Sequence, residues 1–222
     1  MEQPAHRQRL TPGMRLARHR HAGAYAAVVL SGGYEEAGDA GRRRVQPGDV
    51  VLHGPFEAHL DRSGGQGAEV LNLVLPEGAV LGGFGRLKDV DAVARLAERD
   101  PAEAARLLVA LTRQAPPIPA DWPDLLAAAL SASSPLRLET WARSQGLTPE
   151  TVSRGFRRVF GVSPSRFRLE VRARRAWSAV RATPEALAAI ADDAGFADQA
   201  HMTRAVTALT GRPPGAWRTT PA

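Results

Sequence analysis

Two stretches near the carboxy terminus carry the same pattern of residues, about fifty positions apart. The first runs Leu138-x-x-Trp141-Ala142-x-x-x-Gly146, then Thr148-Pro149-Glu150-Thr151-Val152-Ser153-Arg154-Gly155-Phe156, and closes at Gly161 and Pro164. The second runs Leu187-x-x-Ile190-Ala191-x-x-x-Gly195, then Asp198-Gln199-Ala200-His201-Met202-Thr203-Arg204, and closes at Gly211 and Pro214. Arg154 and Arg204 hold the same place in their copies, as do Phe167-Arg168 and Trp217-Arg218. Each copy reads as two helices joined by a tight turn: Ala142 and Ala191 let the helices approach closely, and Gly146 and Gly195 supply the turn. Val152, Phe156, Met202 and Val206 fall at offsets that face a core. Glu150, Ser153 and Arg154 are then left on the outer face of one second helix, and Gln199, Ala200, Thr203 and Arg204 on that of the other. A duplicated helix-turn-helix with an arginine on each second helix fits a ligand that itself repeats, and duplex DNA is such a ligand.

Charge points the same way. Residues 1–134 hold 15 Arg or Lys against 16 Asp or Glu, and residues 135–222 hold 14 against 7, so the repeat region accounts for the whole net charge of +6. A basic surface favours a polyanion, because each cation placed at a phosphate releases condensed counterions. The outward residues also have the right chemistry for base edges. Arginine pairs bidentately with guanine and glutamine with adenine, glutamate accepts from cytosine, and threonine bonds a base or touches a thymine methyl.

The absence of cysteine excludes disulfides, thiolate metal sites and thiol redox sensing. The start, Met1-Glu2-Gln3-Pro4-Ala5-His6-Arg7, lacks the apolar core of a signal peptide. The longest clean apolar run, Ala24 to Leu30, is far short of the ~20 residues that span a bilayer. A soluble protein with no membrane partner is expected.

Residues 10–76 read as short strands broken by Gly and Pro, the pattern of a small sandwich or barrel. From Leu87 the period becomes helical, and Asp100-Pro101 opens a second helix with Asp as N-cap and Pro in the first position. Pro116-Pro117-Ile118-Pro119 is the best linker in the chain, and a third helix starts at Asp121. Between the repeats a long helix is expected from Pro164 to about Arg181, with Ser163 as its start and most of its arginines solvated.

At Ile190-Ala191-x-x-x-Gly195-Phe196-x-Asp198-Gln199-x-His201-Met202-x-Arg204, followed by Thr210-Gly211-x-x-Pro214-x-x-Trp217-Arg218, the chain resembles the AraC/XylS family of bacterial transcription regulators. With the first copy the resemblance covers about Asp121 to Arg218. Val206 departs from it, standing where the family usually has Phe, and Gly155 sits inside the first reading helix. The resemblance implies that Glu150, Ser153, Arg154, Gln199, Ala200, Thr203 and Arg204 contact double-stranded DNA at a promoter or operator. It also implies a cytoplasmic bacterial protein, found at the nucleoid when bound.

The family joins this module to a cupin-like β-barrel, and residues 13–59 look like a short cupin: His19-Arg20-His21, then Gly48, Pro55 and His59. Metal-binding cupins use two histidines of His-x-His, a Glu four residues on and a later His. Here Tyr25 takes the Glu position. His19, His21, His59 and Tyr25 are therefore the candidate metal or effector pocket, with His53 and Glu57 as alternates. Zn²⁺ or another divalent ion, or a small-molecule effector, is the candidate ligand, and no cofactor is required. The helices from Leu87 to Leu111 offer either a dimer contact or a cover for their own barrel.

The fold expected is α+β in two domains, an N-terminal cupin-like β-barrel with flanking helices and a C-terminal all-α pair of helix-turn-helix subdomains joined by a long helix. The boundaries are 1–84 for the barrel, 85–119 for the helical segment and linker, and 120–222 for the DNA-binding domain, its motifs at about 121–161 and 183–218. The function expected is sequence-specific transcription regulation, tuned by a small ligand or by homodimerisation, with RNA polymerase as partner if the protein activates. No catalytic residue is expected. The competing readings are a cupin metalloenzyme or metal sensor with an appended DNA-binding domain, and an architectural DNA binder without sequence preference.

Overall fold

The computed structural model describes residues 6–76, 78–79, 83–115, 121–132 and 136–218. The proline stretch 116–119, expected as the linker, lies outside these residues, as do residues 1–5. The chain divides into two compact units, residues 1–124 and 125–222.

In the first unit β1 (Arg7–Leu10), β2 (Arg15–Arg20), β3 (Tyr25–Gly38), β4 (Gly41–Val45), β5 (Asp49–His53), β6 (Ala58–Val74) and β7 (Gly83–Leu87) precede α1 (Val90–Ala97), α2 (Pro101–Leu111) and β8 (Thr112–Gln114). The strands form one antiparallel sheet in the order β1-β6-β3-β5-β7-β8, with β2 also on β6 and β4 also on β3. β3 and β6 pair from Tyr25↔Val74 to Gly38↔His59, with register shifts between Val29 and Ser31 and between Gly32 and Tyr34. At the second shift Gly32 has φ +71°, and a Cβ there would collide with the Gly67 carbonyl, so the bulge requires glycine.

The run Ala24–Leu30 is apolar without alternation because β3 is covered on both faces. Ala26 and Val28 join one core with Val50, Leu52, Leu71 and Leu73, whereas Tyr25, Ala27 and Val29 join another with Tyr34, Val51, Val70 and Phe84. The first core is completed by Val93 and Ala97 of α1 and Ala104, Ala105 and Leu108 of α2. Asp89 and Asp100 start these helices by accepting from the amides of Ala92 (2.9 Å) and Glu103 (2.8 Å), and Pro101 opens α2 as expected.

The sheet is not closed into the expected barrel. Closure needs the two end strands to bond, yet β1 and β8 lie at opposite ends of the strand order and no pairing joins them among the described residues. The helical hairpin covers the face that would otherwise have to curl away from water. α2 then runs directly into β8, which pairs with β7 through Gly85↔Gln114 and Leu87↔Thr112. Residues 85–87 and 112–114, read as helix or linker in the sequence, are therefore strand: the end of β7, paired on both sides, and the edge strand β8. The apolar face of α1 and α2 packs on its own sheet.

α3 (Trp122–Ser131) spans the division between the units. At its start Asp124 takes two bonds of 3.0 Å from Arg42 of β4, and Asp121 one of 2.7 Å. The second unit continues with α4 (Leu138–Ser144), α5 (Pro149–Phe160), α6 (Pro164–Ala182), α7 (Leu187–Asp193), α8 (Gln199–Thr210) and α9 (Pro214–Arg218). α6, with 19 residues, is the expected long helix, about 28 Å at ~1.5 Å per residue. Ser163 caps it, accepting from the Arg166 amide at 3.3 Å.

Aromatic residues fill this core: the rings of Phe156, Phe160 and Phe167 lie 4.6 to 5.5 Å apart, and Trp177 meets Trp217 edge-on at 5.7 Å. Several α6 arginines do more than solvate the helix. Arg166 bonds Glu170 at 2.8 Å, while Arg168 and Arg175 donate to the carbonyls of Leu136 (3.0 Å) and Ser131 (2.9 Å). They tie the long helix to the segments that precede the first repeat, using the guanidinium's several donors to satisfy backbone oxygens. Among the described residues no helix is long and apolar enough to cross a membrane.

Candidate nucleic-acid interface and imidazole pocket

Both copies of the repeat fold as helix, turn and helix. After α4, Gly146 takes φ +66° and the Leu147 amide returns to the Ala142 carbonyl at 2.9 Å. After α7, Gly195 takes φ +75° and the Phe196 amide returns to the Ala191 carbonyl at 2.8 Å. Ala142 and Ala191 are buried, as close helix approach requires. α5 then opens on Thr148, whose hydroxyl accepts from the Thr151 amide at 3.3 Å, and α8 opens on Asp198, whose carboxylate accepts from the His201 amide at 2.6 Å. The second turn is one residue longer, with Ala197 as the extra residue, so the turn bonds repeat after 49 positions and the caps after 50. Both helices stop at a left-handed glycine, Gly161 (φ +77°) and Gly211 (φ +78°).

The face of each second helix divides as the spacing predicts. Val152, Phe156, Met202 and Val206 are 0% exposed. Glu150, Ser153, Arg154, Gln199, Ala200 and Arg204 are exposed, and Thr203 is half-buried. Glu150 has its pKa held below the usual carboxylate value, first by a bond to its own backbone amide and then by Thr148. It therefore serves the helix start in this conformation as well as facing out. Arg157 and Arg158 also lie exposed on α5, one turn beyond Arg154, and went unread in the sequence although their i+3 and i+4 spacing places them beside it. Gly155 is half-buried and does not interrupt α5, and Val206 fills its core position without a larger ring.

In the first unit the sheet brings a second group together. His19 of β2 stands opposite His59 of β6, and Tyr25 of β3 opposite His53 of β5. The His19 and His59 rings are 4.3 Å apart, His53 and His59 4.2 Å, and Tyr25 stacks on His53 at 4.5 Å. His21, just past β2, lies 5.2 Å from His19. All four expected residues, His19, His21, Tyr25 and His59, line one pocket of about 140 Å³, with His53, Glu36 and Asp61 also on its wall. The alternate Glu57 instead accepts the Gly54 amide at 2.5 Å and shapes the turn before β6.

Burial governs the protonation of this pocket. It pushes His19 and His53 below their ordinary value, and His59 well below, where the neighbouring histidines add to the effect. It raises the Glu36 carboxyl well above its ordinary value, with Glu57 adding to the shift, and the Asp61 carboxyl to about 8, with Glu36 adding to that one. Both shifts disfavour the charged forms at the 3.5 Å contact between His53 Nε2 and Glu36 Oε2, and so weaken it as an ion pair. Two buried atoms on the pocket have no hydrogen-bond partner, His59 Nδ1 and Asp61 Oδ1. His19, His21 and His59 present ligand atoms within 4.8 Å of one another, a donor set that fits a divalent cation.

Residues 141–220 match the family model described as "Helix-turn-helix domain". Among solved structures, a probable AraC family transcriptional regulator from Rhodopseudomonas palustris is 25% identical, covering 42% of this chain and 90% of its own, with a TM-score of 0.39. ToxT from Vibrio cholerae, with an unsaturated fatty acid bound, is 10% identical over 96% of this chain and 93% of its own, with a TM-score of 0.42. KdgF from Halomonas covers 29% of this chain and 59% of its own at 20% identity, with a TM-score of 0.27. A comparison with curated proteins gives no match. The matched residues take in both reading helices, α6 between them and the closing Gly211, Pro214 and Trp217. Residues 141–220 thus carry a helix-turn-helix domain, with its motif present in two copies, and DNA-binding transcription regulation is the function that this domain supports.

Proposed function

We propose that α5 and α8 each read one major groove of an operator, and that the pocket of the sheet unit receives the signal that controls this reading. The observation that carries the proposal is the shared face of the two helices. Measured from their caps, Arg154 and Arg204 occupy one and the same position on the exposed side of α5 and α8. Base reading is assigned to Arg154, Ser153 and Glu150 in the first copy and to Arg204, Thr203, Ala200 and Gln199 in the second. Arg157 and Arg158 are assigned to phosphates, which fix register without reading sequence. α6, about 28 Å long, is of the order of the ~34 Å turn of B-DNA that two readers on one face must span.

Proposed partners beyond DNA are a small polar effector in the pocket, a second copy of the chain, and RNA polymerase if the protein activates. Selection of bound sites from a random DNA pool at near-physiological salt tests the reading. Two enriched blocks about one helical turn apart are expected, and binding without any enrichment would overturn sequence-specific regulation by the free protein.

A further inference from the structure

We propose that Arg168 and Arg218 are positioning residues for the two reading helices, each clipping the main chain ahead of its helix-turn-helix to the helix that closes it. This rests on α5 and α8 being the readers, and it names what sets their angle.

The clip occurs twice, at matching places. Arg168 donates to the Leu136 carbonyl at 3.0 Å, and Arg218 donates to the Glu185 carbonyl. Leu136 and Glu185 are each the residue just before the N-cap of a first helix, Arg137 for α4 and Ala186 for α7. Donor and acceptor are 32 residues apart in the first copy and 33 in the second, and Ala197, the extra residue of the second turn, accounts for the difference. A surface arginine meeting a carbonyl by chance would not keep that offset in both copies.

The acceptor is the one that the helix leaves over. In both copies the N-cap carbonyl takes the first helical amide, Trp141 on Arg137 at 3.0 Å and Ile190 on Ala186 at 3.1 Å. The carbonyl one residue earlier lies outside the helical ladder. Neither first helix has a side-chain cap to fix its start, whereas α5, α6 and α8 are capped by Thr148, Ser163 and Asp198. The arginine supplies the missing restraint from the far end of the motif.

The residue before each arginine holds the reader. Phe167 is fully buried and packs on Phe156 and Phe160 of α5 at 5.3 and 5.5 Å. Trp217 donates from Nε1 to Thr210 Oγ1 of α8 at 3.0 Å, and Thr210 stands where Phe160 stands in the first copy. One side chain of the closing helix therefore holds the reader, and its neighbour holds the entry to the first helix. The two helices of each motif are fixed to a common frame, as base reading by side-chain pairs of defined geometry requires.

The test compares Arg168→Ala and Arg218→Ala with Arg168→Lys and Arg218→Lys in the full chain. Hydrogen–deuterium exchange is read without DNA, and site preference is read by selection from a random DNA pool. Exchange should quicken about tenfold across α4 in Arg168→Ala, and by less across α7 in Arg218→Ala, whose clip is more exposed. Lysine, which keeps the charge and a donor, should restore part of the protection. Each alanine variant should lose about tenfold of discrimination in one block of the selected site and spare the other block. The dependence of affinity on salt should stay that of the wild type. A uniform loss of affinity, with the salt slope reduced by about one, would instead make the arginine a phosphate contact. Unchanged exchange in α4 and α7, or preference blurred in both blocks alike, would overturn the positioning role. Where an alanine variant fails to fold, the lysine variant carries the same comparison. A wild type that enriches no block while the clip variants still loosen α4 and α7 would sink the readers and leave the clip standing.

Discussion

Arg154 and Arg204 each stand six residues beyond the cap of their helix, Thr148 in α5 and Asp198 in α8, and both side chains are exposed. The duplication is thus conserved in geometry at the position best placed to meet a base. Arg204→Ala should cost about 1–3 kcal/mol in operator affinity and relax preference at one base pair. Affinity measured across single-base-pair variants of the selected site decides the matter. A uniform loss over all of them would make Arg204 a phosphate contact instead.

The core beneath that face should be the costlier place to cut. Phe156 is 0% exposed and packs 4.6 Å from Phe160 and 5.3 Å from Phe167, on the side of α5 opposite Arg154. Phe156→Ala should lower stability by about 3–5 kcal/mol, the usual range for a large aromatic removed from a core. Denaturant unfolding of the second unit measures this, and a loss below about 1 kcal/mol would mean that the ring cluster is not a packed core.

The DNA-binding half was legible because its signals are local. A turn glycine, a cap and a period of 3.6 all fall within one short window, and each copy checks the other. In the sheet unit the residues that matter meet across strands. His19, His21, Tyr25 and His59 could be named by resemblance to a spacing, and Asp61 follows from His59 by simple alternation. Glu36 does not. The inner face of β3 holds odd positions at Tyr25, Ala27 and Val29 but even ones at Tyr34 and Glu36, because the register shifts around Ser31 and Gly32 reverse the parity. Barrel closure was misread for a related reason: nothing in the residues of β8 announces an edge strand fed directly by a helix.

Glu36 gives the sheet unit a pH dependence of known sign. Its folded pKa is raised, so its contribution to stability is complete below the unfolded value near 4.5 and is lost as pH rises through the folded one. The groups that face it are His53 from β5, Asp61 from β6, Glu57 from the turn before β6, and Tyr25 and Tyr34 on its own strand. Asp61, with its pKa raised to about 8, shares the sign. Both tyrosines are raised above 10, and His19, His53 and His59 are lowered from 6.5, so above about pH 7.5 neither kind opposes the carboxyls. The melting temperature of the wild type should therefore fall between about pH 7.5 and about pH 9. Glu36→Gln, which keeps the shape of the neutral acid, should fall less over the same range. Equal slopes in the two proteins would show that Glu36 is ionised throughout.

Every residue assigned to base or phosphate contact lies beyond the division at Asp124, whereas the pocket lies wholly before it. A fragment beginning at Asp121 keeps α3 entire, including Ser131, whose carbonyl holds Arg175 of α6. It loses the bonds that Arg42 of the sheet unit makes to Asp121 and Asp124. The fragment should fold, bind the selected operator with the same base preferences, and weaken steeply with salt as phosphate contacts release counterions. Gel-shift titrations of fragment and full chain, at two salt concentrations, provide the comparison. A folded fragment that no longer discriminates the operator would place essential contacts, or an essential second copy, in the sheet unit.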